Sequence, residues 1–184
     1  MRLEDLNTLP TDRAIAALRR CCGSTRWATL MTAARPFVTL DAALERADAV
    51  WSSLAPDDWL EAFHGHPRIG ENTRAEKAGT AGRAGKAGGA GEAGDARAAA
   101  WSDQEQAGVR LADNIVRDRL AEANRDYEAR FGYIFIVCAT GKSAEEMLAM
   151  LERRLTSDPD TERRTAAEEQ RKITRLRLAK LVTP

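Results

Sequence analysis

Phe131 to Ala139, with the sequence FGYIFIVCA, is the stretch that decides the fold class. Taken alone, a short apolar run of this kind is typical of a buried β-strand. A buried strand needs neighbouring strands to satisfy its backbone hydrogen bonds, and no partner strand is predicted elsewhere in the 184 residues. We therefore expect this run to be an extended or helical part of the core of an all-α protein.

Helix signals lie on both sides of this run. Upstream, a long helix is predicted over Ser102–Arg130, with Gly132 ending it. Its inward-facing residues are predicted to be Val109, Ala112, Ile115, Val116, Leu120, Ala123 and Tyr127. Downstream, a capping box at Ser143 opens a helix to about Leu155, and Asp158-Pro159 opens a final helix to about Leu181.

Four shorter helices are predicted in the first third of the chain, over Pro10–Gly23, Ser24–Pro36, Thr39–Leu54 and Pro56–His64. Together these patterns predict one domain, residues 1–184, built as a helical bundle of about seven to nine helices. Residues 78–100 are the exception, because glycine recurs there at every third position from Gly79 to Gly94 without proline. We expect a low-complexity, flexible loop that is dispensable for chemistry.

Composition narrows the class of protein. Acidic and basic residues balance at 28 each, which gives no indication of binding to nucleic acid or an anionic membrane. The three cysteines have no metal-ligand or disulfide spacing, which fits a reducing cytoplasm. No apolar run approaches the ~18 residues of a membrane-spanning helix, and neither end resembles a secretion or peroxisomal signal.

Both histidines of the chain, His64 and His66, flank Gly65 and precede Pro67. Imidazole exchanges protons near neutral pH, so a histidine on a turn is a candidate for catalysis. Many such histidines only bind a backbone carbonyl, and spacing alone does not distinguish the two roles. A zinc site is not expected, because a catalytic zinc needs about three protein ligands and none completes the pair.

Three other patterns in the sequence are candidates for function. Gly141-Lys142-Ser143 resembles the end of a phosphate-binding loop, but Ile136 stands where the first glycine is required. Ser102-x-x-Glu105 forms a capping box, and it also places a carboxylate at a helix N-terminus. Arg177 shares the apolar face of the last helix with Ile173. A cation there reaches the rim or binds an anionic group, and we favour the second role.

Five motifs in order resemble one known family, the 2-oxo-4-hydroxy-4-carboxy-5-ureidoimidazoline (OHCU) decarboxylases of urate degradation. They are Arg35-Pro36-Phe37, His66-Pro67-Arg68-Ile69-Gly70, Ser102-x-x-Glu105-Gln106, Asn124-x-x-Tyr127-x-x-Arg130-Phe131-Gly132-Tyr133-x-Phe135 and Lys172-Ile173-x-x-x-Arg177-Leu178. Each is weak alone, but together they span nearly the whole chain. The glycine-rich insertion is a departure from the family pattern.

The resemblance implies an all-α homodimeric carboxy-lyase without cofactor or metal, which converts OHCU to (S)-allantoin. It implies His66, Glu105 and Arg177 as catalytic residues, with His66 in proton transfer. It implies substrate contacts at Pro67, Ser102, Asp103, Gln104, Glu105, Gln106, Phe135, Ile136, Val137, Cys138, Ala139 and Arg177. The lack of a peroxisomal tail favours a bacterial-type cytoplasmic enzyme.

Two alternatives remain open. A helical interaction module that has lost its chemistry predicts that His66, Glu105 and Arg177 do not converge. A histidine-dependent hydrolase requires a nucleophile, and Cys138 qualifies only if it is exposed.

Overall fold

The structure, a computed structural model, describes residues 1–69 and 114–183. Within these ranges it contains eight helices and no strand, so the all-α prediction is confirmed. The helices are α1 (Leu3–Thr8), α2 (Thr11–Cys22), α3 (Thr25–Ala33), α4 (Leu40–Ser52), α5 (Pro56–His64), α6 (described from Asn114, Asn114–Phe131), α7 (Ala144–Arg154) and α8 (Pro159–Val182). The predicted loop 78–100 and the predicted helix start at Ser102 lie outside the described residues.

Local chemistry sets the helix ends where the sequence predicts them. Gly23 follows α2 with a φ of 87°, and a Cβ there would lie 3.1 Å from the carbonyl oxygen of Ala62. Only glycine tolerates both the positive φ and this close approach without strain. The side chains of Ser24, Thr39, Ser143 and Asp158 each accept a hydrogen bond from the backbone N–H three residues on, as N-caps do.

The chain forms two compact units. The first comprises Met1–Gly65, Ile136–Cys138 and Asp158–Pro184. In this unit α8 packs on α2 and α4, and α2 packs on α3. Two buried indoles secure the packing: Trp27 Nε1 donates to the Ala47 carbonyl at 3.2 Å, and Trp51 Nε1 donates to that of Ala167 at 3.0 Å. These bonds meet the requirement of a buried indole for an acceptor.

The second unit comprises His66–Phe135 and Ala139–Ser157, in which α6 packs on α7. Its described core is aromatic, with the Tyr127 ring centroid 4.7 Å from Phe131 and 5.4 Å from Phe135. The guanidinium of Arg154 lies 4.6 Å from the Phe135 ring centroid, within cation–π range. Because the chain divides in this way, its folding as one domain stays a prediction.

The prediction that Ile115 faces inward is wrong, since Ile115 is 68% exposed. Leu120 and Tyr127 are fully buried, so they mark the inward face of α6. Ile115 precedes Leu120 by five residues, which rotates it by roughly 140° from that face. Val116, one residue later, lies closer to the inward stripe and is half-buried.

The decisive run begins with Phe131, the last residue of α6, and its residues 134–139 form neither helix nor strand. Phe135, Ile136, Val137 and Ala139 are buried, whereas Cys138 is half-buried. Ile136–Cys138 belongs to the first unit, whereas the residues on either side belong to the second. Residues 134–139 are therefore a mostly buried segment without regular secondary structure, and the helical form that the apolar pattern allowed is excluded there.

Candidate active site

His66 lies on a turn that begins where α5 ends. Gly65 follows the last helical residue, His64, and residues 66–69 adopt neither helix nor strand. His66 and Pro67 are half-buried, and Ile69 is 5% exposed. The half-buried imidazole of His66 can contact a ligand. The buried Ile69, three residues further on, anchors the turn that carries it.

The turn is bound to α6 by the side chain of Asn124. Its Nδ2 donates to the carbonyl of Ile69 at 3.2 Å and to that of Leu120 at 2.9 Å. Asn124 is only 3% exposed, so these bonds form away from water, where leaving a polar group unpaired is costly. The family motif includes Asn124, but the sequence alone assigned it no role.

A second contact joins the same turn to α6 one helical turn further on. Arg68 donates from Nε at 2.9 Å and from Nη2 at 2.8 Å to the same carboxylate oxygen of Glu128. Both side chains are more than a third exposed, which limits the stabilisation from such a pair to about 0–1 kcal/mol. Its effect is therefore geometric more than energetic.

His64 occupies a different environment from His66. It is exposed, and its Nδ1 donates to the carbonyl of Leu60, one turn back in α5, at 2.6 Å. That bond holds the imidazole against its own helix. The structure therefore supports a structural role for His64.

Arg177 is buried in the C-terminal third of α8, 5% exposed, as its spacing with Ile173 predicts. It lies close enough to Cys22 for its charge to act on that thiol. Burial raises the pKa of Cys22 to about 12, although hydrogen bonds from Ser24 and Thr174 and the charge of Arg177 act in the opposite direction. Cys22 is therefore an inert thiol at neutral pH.

Other polar groups are buried on the same helix. Gln170 is fully buried, and its Nε2 donates to Thr174 Oγ1 at 3.2 Å and to the Cys22 carbonyl at 3.4 Å. By contrast, Arg171 and Arg175 are partly exposed and form ion pairs with Asp48. Among these arginines of α8, Arg177 alone is buried, and burial of a cation is costly unless it serves a partner or ligand.

Glu169 binds the segment of residues 134–139, a contact that the sequence pattern did not predict. Its Oε2 accepts a hydrogen bond from the Cys138 backbone N–H at 2.8 Å, and its Oε1 accepts one from Lys172 Nζ at 2.6 Å. The bond to Glu169 raises the pKa of Lys172. Extending the four-residue spacing of Arg177 and Ile173 back by one turn gives Glu169, which was the available signal.

The predicted site residues fall into three groups. Two groups belong to the two compact units, and the third lies outside the described residues. His66, Pro67, Phe135 and Ala139 belong to the second unit, whereas Arg177 and Ile136–Cys138 belong to the first. The five residues Ser102–Gln106, including the predicted catalytic Glu105, lie outside the described residues. Convergence of His66, Glu105 and Arg177 therefore stays a prediction.

Comparison with known protein families shows to which family this chain belongs. A family model described as OHCU decarboxylase matches residues 7–179. The chain belongs to the OHCU decarboxylase family. That family match covers every predicted site residue, including those between the two described ranges.

Two curated proteins illustrate the similarity in sequence. The chain is 36% identical over 161 residues to the uric acid degradation bifunctional protein TTL of Arabidopsis thaliana, covering 88% of this chain and 45% of that protein. It is 26% identical over 183 residues to an OHCU decarboxylase of Haloferax volcanii, covering 97% and 95%. The chain spans about half the length of the first curated relatives that it matches.

Two solved structures resemble this chain in fold. One, a crystal structure of OHCU decarboxylase in the presence of (S)-allantoin, has a TM-score of 0.71 and 32% identity, covering 92% of this chain and 99% of that one. A crystal structure of (S)-allantoin synthase has a TM-score of 0.65 at 17% identity, which indicates a shared fold alone.

Three further observations concern a metal site, a membrane span and the hydrolase alternative. Within residues 1–69 and 114–183, no three His, Cys, Asp or Glu side chains are grouped as metal ligands. No helix in the described part of the chain is long and apolar enough to cross a membrane. Cys138, the nucleophile that the hydrolase alternative requires to be exposed, is half-buried.

Proposed function

We propose that this chain decarboxylates OHCU to (S)-allantoin, acting as a carboxy-lyase in urate degradation. The observation that carries the proposal is the family match over residues 7–179. The 32% identity to an OHCU decarboxylase crystallised in the presence of (S)-allantoin supports the same reaction and product.

The chemistry needs few groups from the protein. The substrate carboxylate is bonded to a carbon that also bears a hydroxyl, next to a conjugated imidazoline ring. When the C–C bond to the carboxylate breaks, CO2 leaves and the electron pair passes into the ring imine and carbonyl. The hydroxyl then loses its proton as its carbon becomes the carbonyl of allantoin. A proton must reach one face of the neighbouring carbon, which bears the ureido group, and this fixes the configuration of the product.

In this mechanism His66 engages the substrate hydroxyl or carboxylate and transfers the proton, and Glu105 orients it. The half-buried position of the His66 turn supports this role, because the imidazole is accessible but held. A positioned acid or base accelerates such a step by about 10²–10⁴-fold.

Arg177 and the segment Phe135–Ala139 bind the polar oxygens of the substrate. The guanidinium is suited to bidentate recognition of carboxylate or ureido oxygen, and Arg177 is the buried cation of α8. Pro67, the segment Phe135–Ala139 and residues Ser102–Gln106 complete the proposed contacts. We further propose a cytoplasmic homodimer that needs neither cofactor nor metal.

The test supplies freshly generated OHCU and follows circular dichroism during its decay. OHCU also decays without enzyme, to racemic product, so the proposal predicts a dichroic signal of (S)-allantoin that grows in proportion to protein concentration. Racemic product at the uncatalysed rate would refute the function and favour the interaction module.

A further inference from the structure

We propose that Asn124 and Glu128 are positioning residues, which hold the His66 turn in place for proton transfer. The inference rests on the proposed function in assigning the reaction to His66. It adds two residues on α6 that act through the turn, by their contacts with Arg68 and Ile69.

The first step is that the turn has no regular secondary structure to fix it. Residues 66–69 lie between the end of α5 and the limit of the described residues, in neither helix nor strand. A catalytic imidazole must be held close to its working geometry, and a displacement of about 1 Å in such a group can cost about 10²-fold in rate. Side chains from elsewhere must therefore supply part of the constraint.

The second step is that α6 contacts two consecutive residues of the turn. Glu128 binds the guanidinium of Arg68, and Asn124 binds the carbonyl of Ile69. Asn124 and Glu128 are four residues apart, so they lie on the same side of the helix. Arg68 follows His66 by only two residues, which makes this helix face a fixed support for the imidazole.

The third step is that the Asn124 amide is buried, at 3% exposure. Its Nδ2 donates to the carbonyls of Ile69 and Leu120 away from water. Removing such a donor leaves a buried carbonyl unpaired, which costs about 1–3 kcal/mol.

The experiment compares three variants of the full-length chain. Asn124→Leu removes both donor bonds at similar volume, and Glu128→Ala removes the acceptor of Arg68. Glu152→Ala is the matched control, because Glu152 forms an ion pair from α7 to Arg119 of the same helix α6, with side-chain exposure of 47% and 60%. It removes a similar contact of α6 that does not involve the turn.

The readouts are kcat and KM on fresh OHCU, thermal stability, and ¹H–¹³C NMR of the histidine rings. The chain has only two histidines, so His64 serves as an internal reference for His66. We expect Asn124→Leu to lower kcat by about 10²-fold with little change in KM. We expect Glu128→Ala to lower kcat by up to about fivefold. In both variants the His66 resonance shifts while that of His64 stays in place, and Glu152→Ala changes neither.

Unchanged kcat in Asn124→Leu, or unchanged His66 resonances in both turn variants, would overturn the proposal. So would equal losses in Glu152→Ala, which would indicate a purely structural effect. If Asn124→Leu does not fold, Arg68→Lys takes its place. Arg68→Lys and Glu128→Ala then test the contact between the turn and α6 by the same kinetic, stability and NMR measurements. If the wild type yields no (S)-allantoin, the proposed function fails, yet the NMR comparison still decides whether α6 fixes His66.

Discussion

The turn at His66 and the helix at Arg177 hold their functional side chains in different ways. His66 stands outside regular structure, and its turn depends on side chains of α6 at Asn124 and Glu128. Arg177 stands in the C-terminal third of a 24-residue helix, where backbone hydrogen bonds and periodicity fix its direction. The first residue is therefore sensitive to changes elsewhere, whereas the second depends mainly on its own chemistry.

The largest effect is expected from His66→Gln, which removes the proton donor and acceptor but keeps an amide of similar size. We expect kcat for enantiospecific decarboxylation to fall by about 10²–10⁴-fold. Because His66 is only half-buried, the melting temperature should change little. His64→Gln is the matched control and should retain wild-type kcat, since His64 bonds only to its own helix among the contacts described. Equal losses in both variants would remove the distinction between the histidines.

Next in size is Arg177→Lys, which retains the charge but loses the planar donor pair. A hydrogen bond to a charged group contributes about 1.5–3 kcal/mol, so kcat/KM should fall by about 10- to 100-fold. Arg175→Lys provides the control on the same helix, because Arg175 is partly exposed and pairs with Asp48. Steady-state kinetics on fresh OHCU decides the matter, and similar values for both variants would show that burial of Arg177 serves packing alone.

A smaller effect, on stability, is expected at Glu169. Glu169→Ala leaves the Cys138 backbone N–H without its acceptor, which should lower the free energy of unfolding by about 1–3 kcal/mol. Glu169→Gln keeps a neutral acceptor and should cost less. Lys172→Met removes the ion pair but keeps the bond between Glu169 and the Cys138 N–H. It should lower the free energy of unfolding by up to about 1 kcal/mol, because Lys172 is half-exposed. Urea unfolding measures all three, and equal costs would mean that the backbone bond is unimportant.

The smallest effect concerns pH and Glu61, on the helix that leads into the His66 turn. Burial alone would raise the pKa of Glu61, but hydrogen bonds from the Thr25 hydroxyl and backbone N–H outweigh it, and the pKa is lowered from 4.5. A lowered pKa contributes stability above the unfolded value, and this stability is lost as pH falls through the folded value. Glu61→Gln should therefore be less stable than wild type at pH 7, and urea unfolding should show the difference shrinking below about pH 4.5. A constant difference from pH 7 to pH 3 would contradict this.

Much of the fold followed from short-range rules. Caps at Ser24, Ser143 and Asp158 and the glycine after α2 are local signals, and the structure places helix ends there. Ile115 was mispredicted because a long amphipathic pattern does not by itself say where its inward stripe is centred. For residues 134–139 the apolar pattern allowed a helical or an extended segment, and local signals alone did not predict that they form neither helix nor strand.

The site was predicted less completely, for a physical reason. The burial of Arg177 follows from helical spacing, but the difference between His64 and His66 depends on which backbone groups each can reach. Asn124 and Glu169 act on carbonyl and N–H groups 55 and 31 residues away in the chain. Such side chain–backbone contacts leave no periodic signal, so motif resemblance included Asn124 without explaining it.

The most direct test of the central claim is the enantiomeric composition of allantoin formed from fresh OHCU by wild type and by His66→Gln. If His66 delivers the proton to one face, wild type yields almost only (S)-allantoin. His66→Gln then yields product close to racemic at nearly the uncatalysed rate. A full excess of (S)-allantoin from His66→Gln at the wild-type rate would contradict the account.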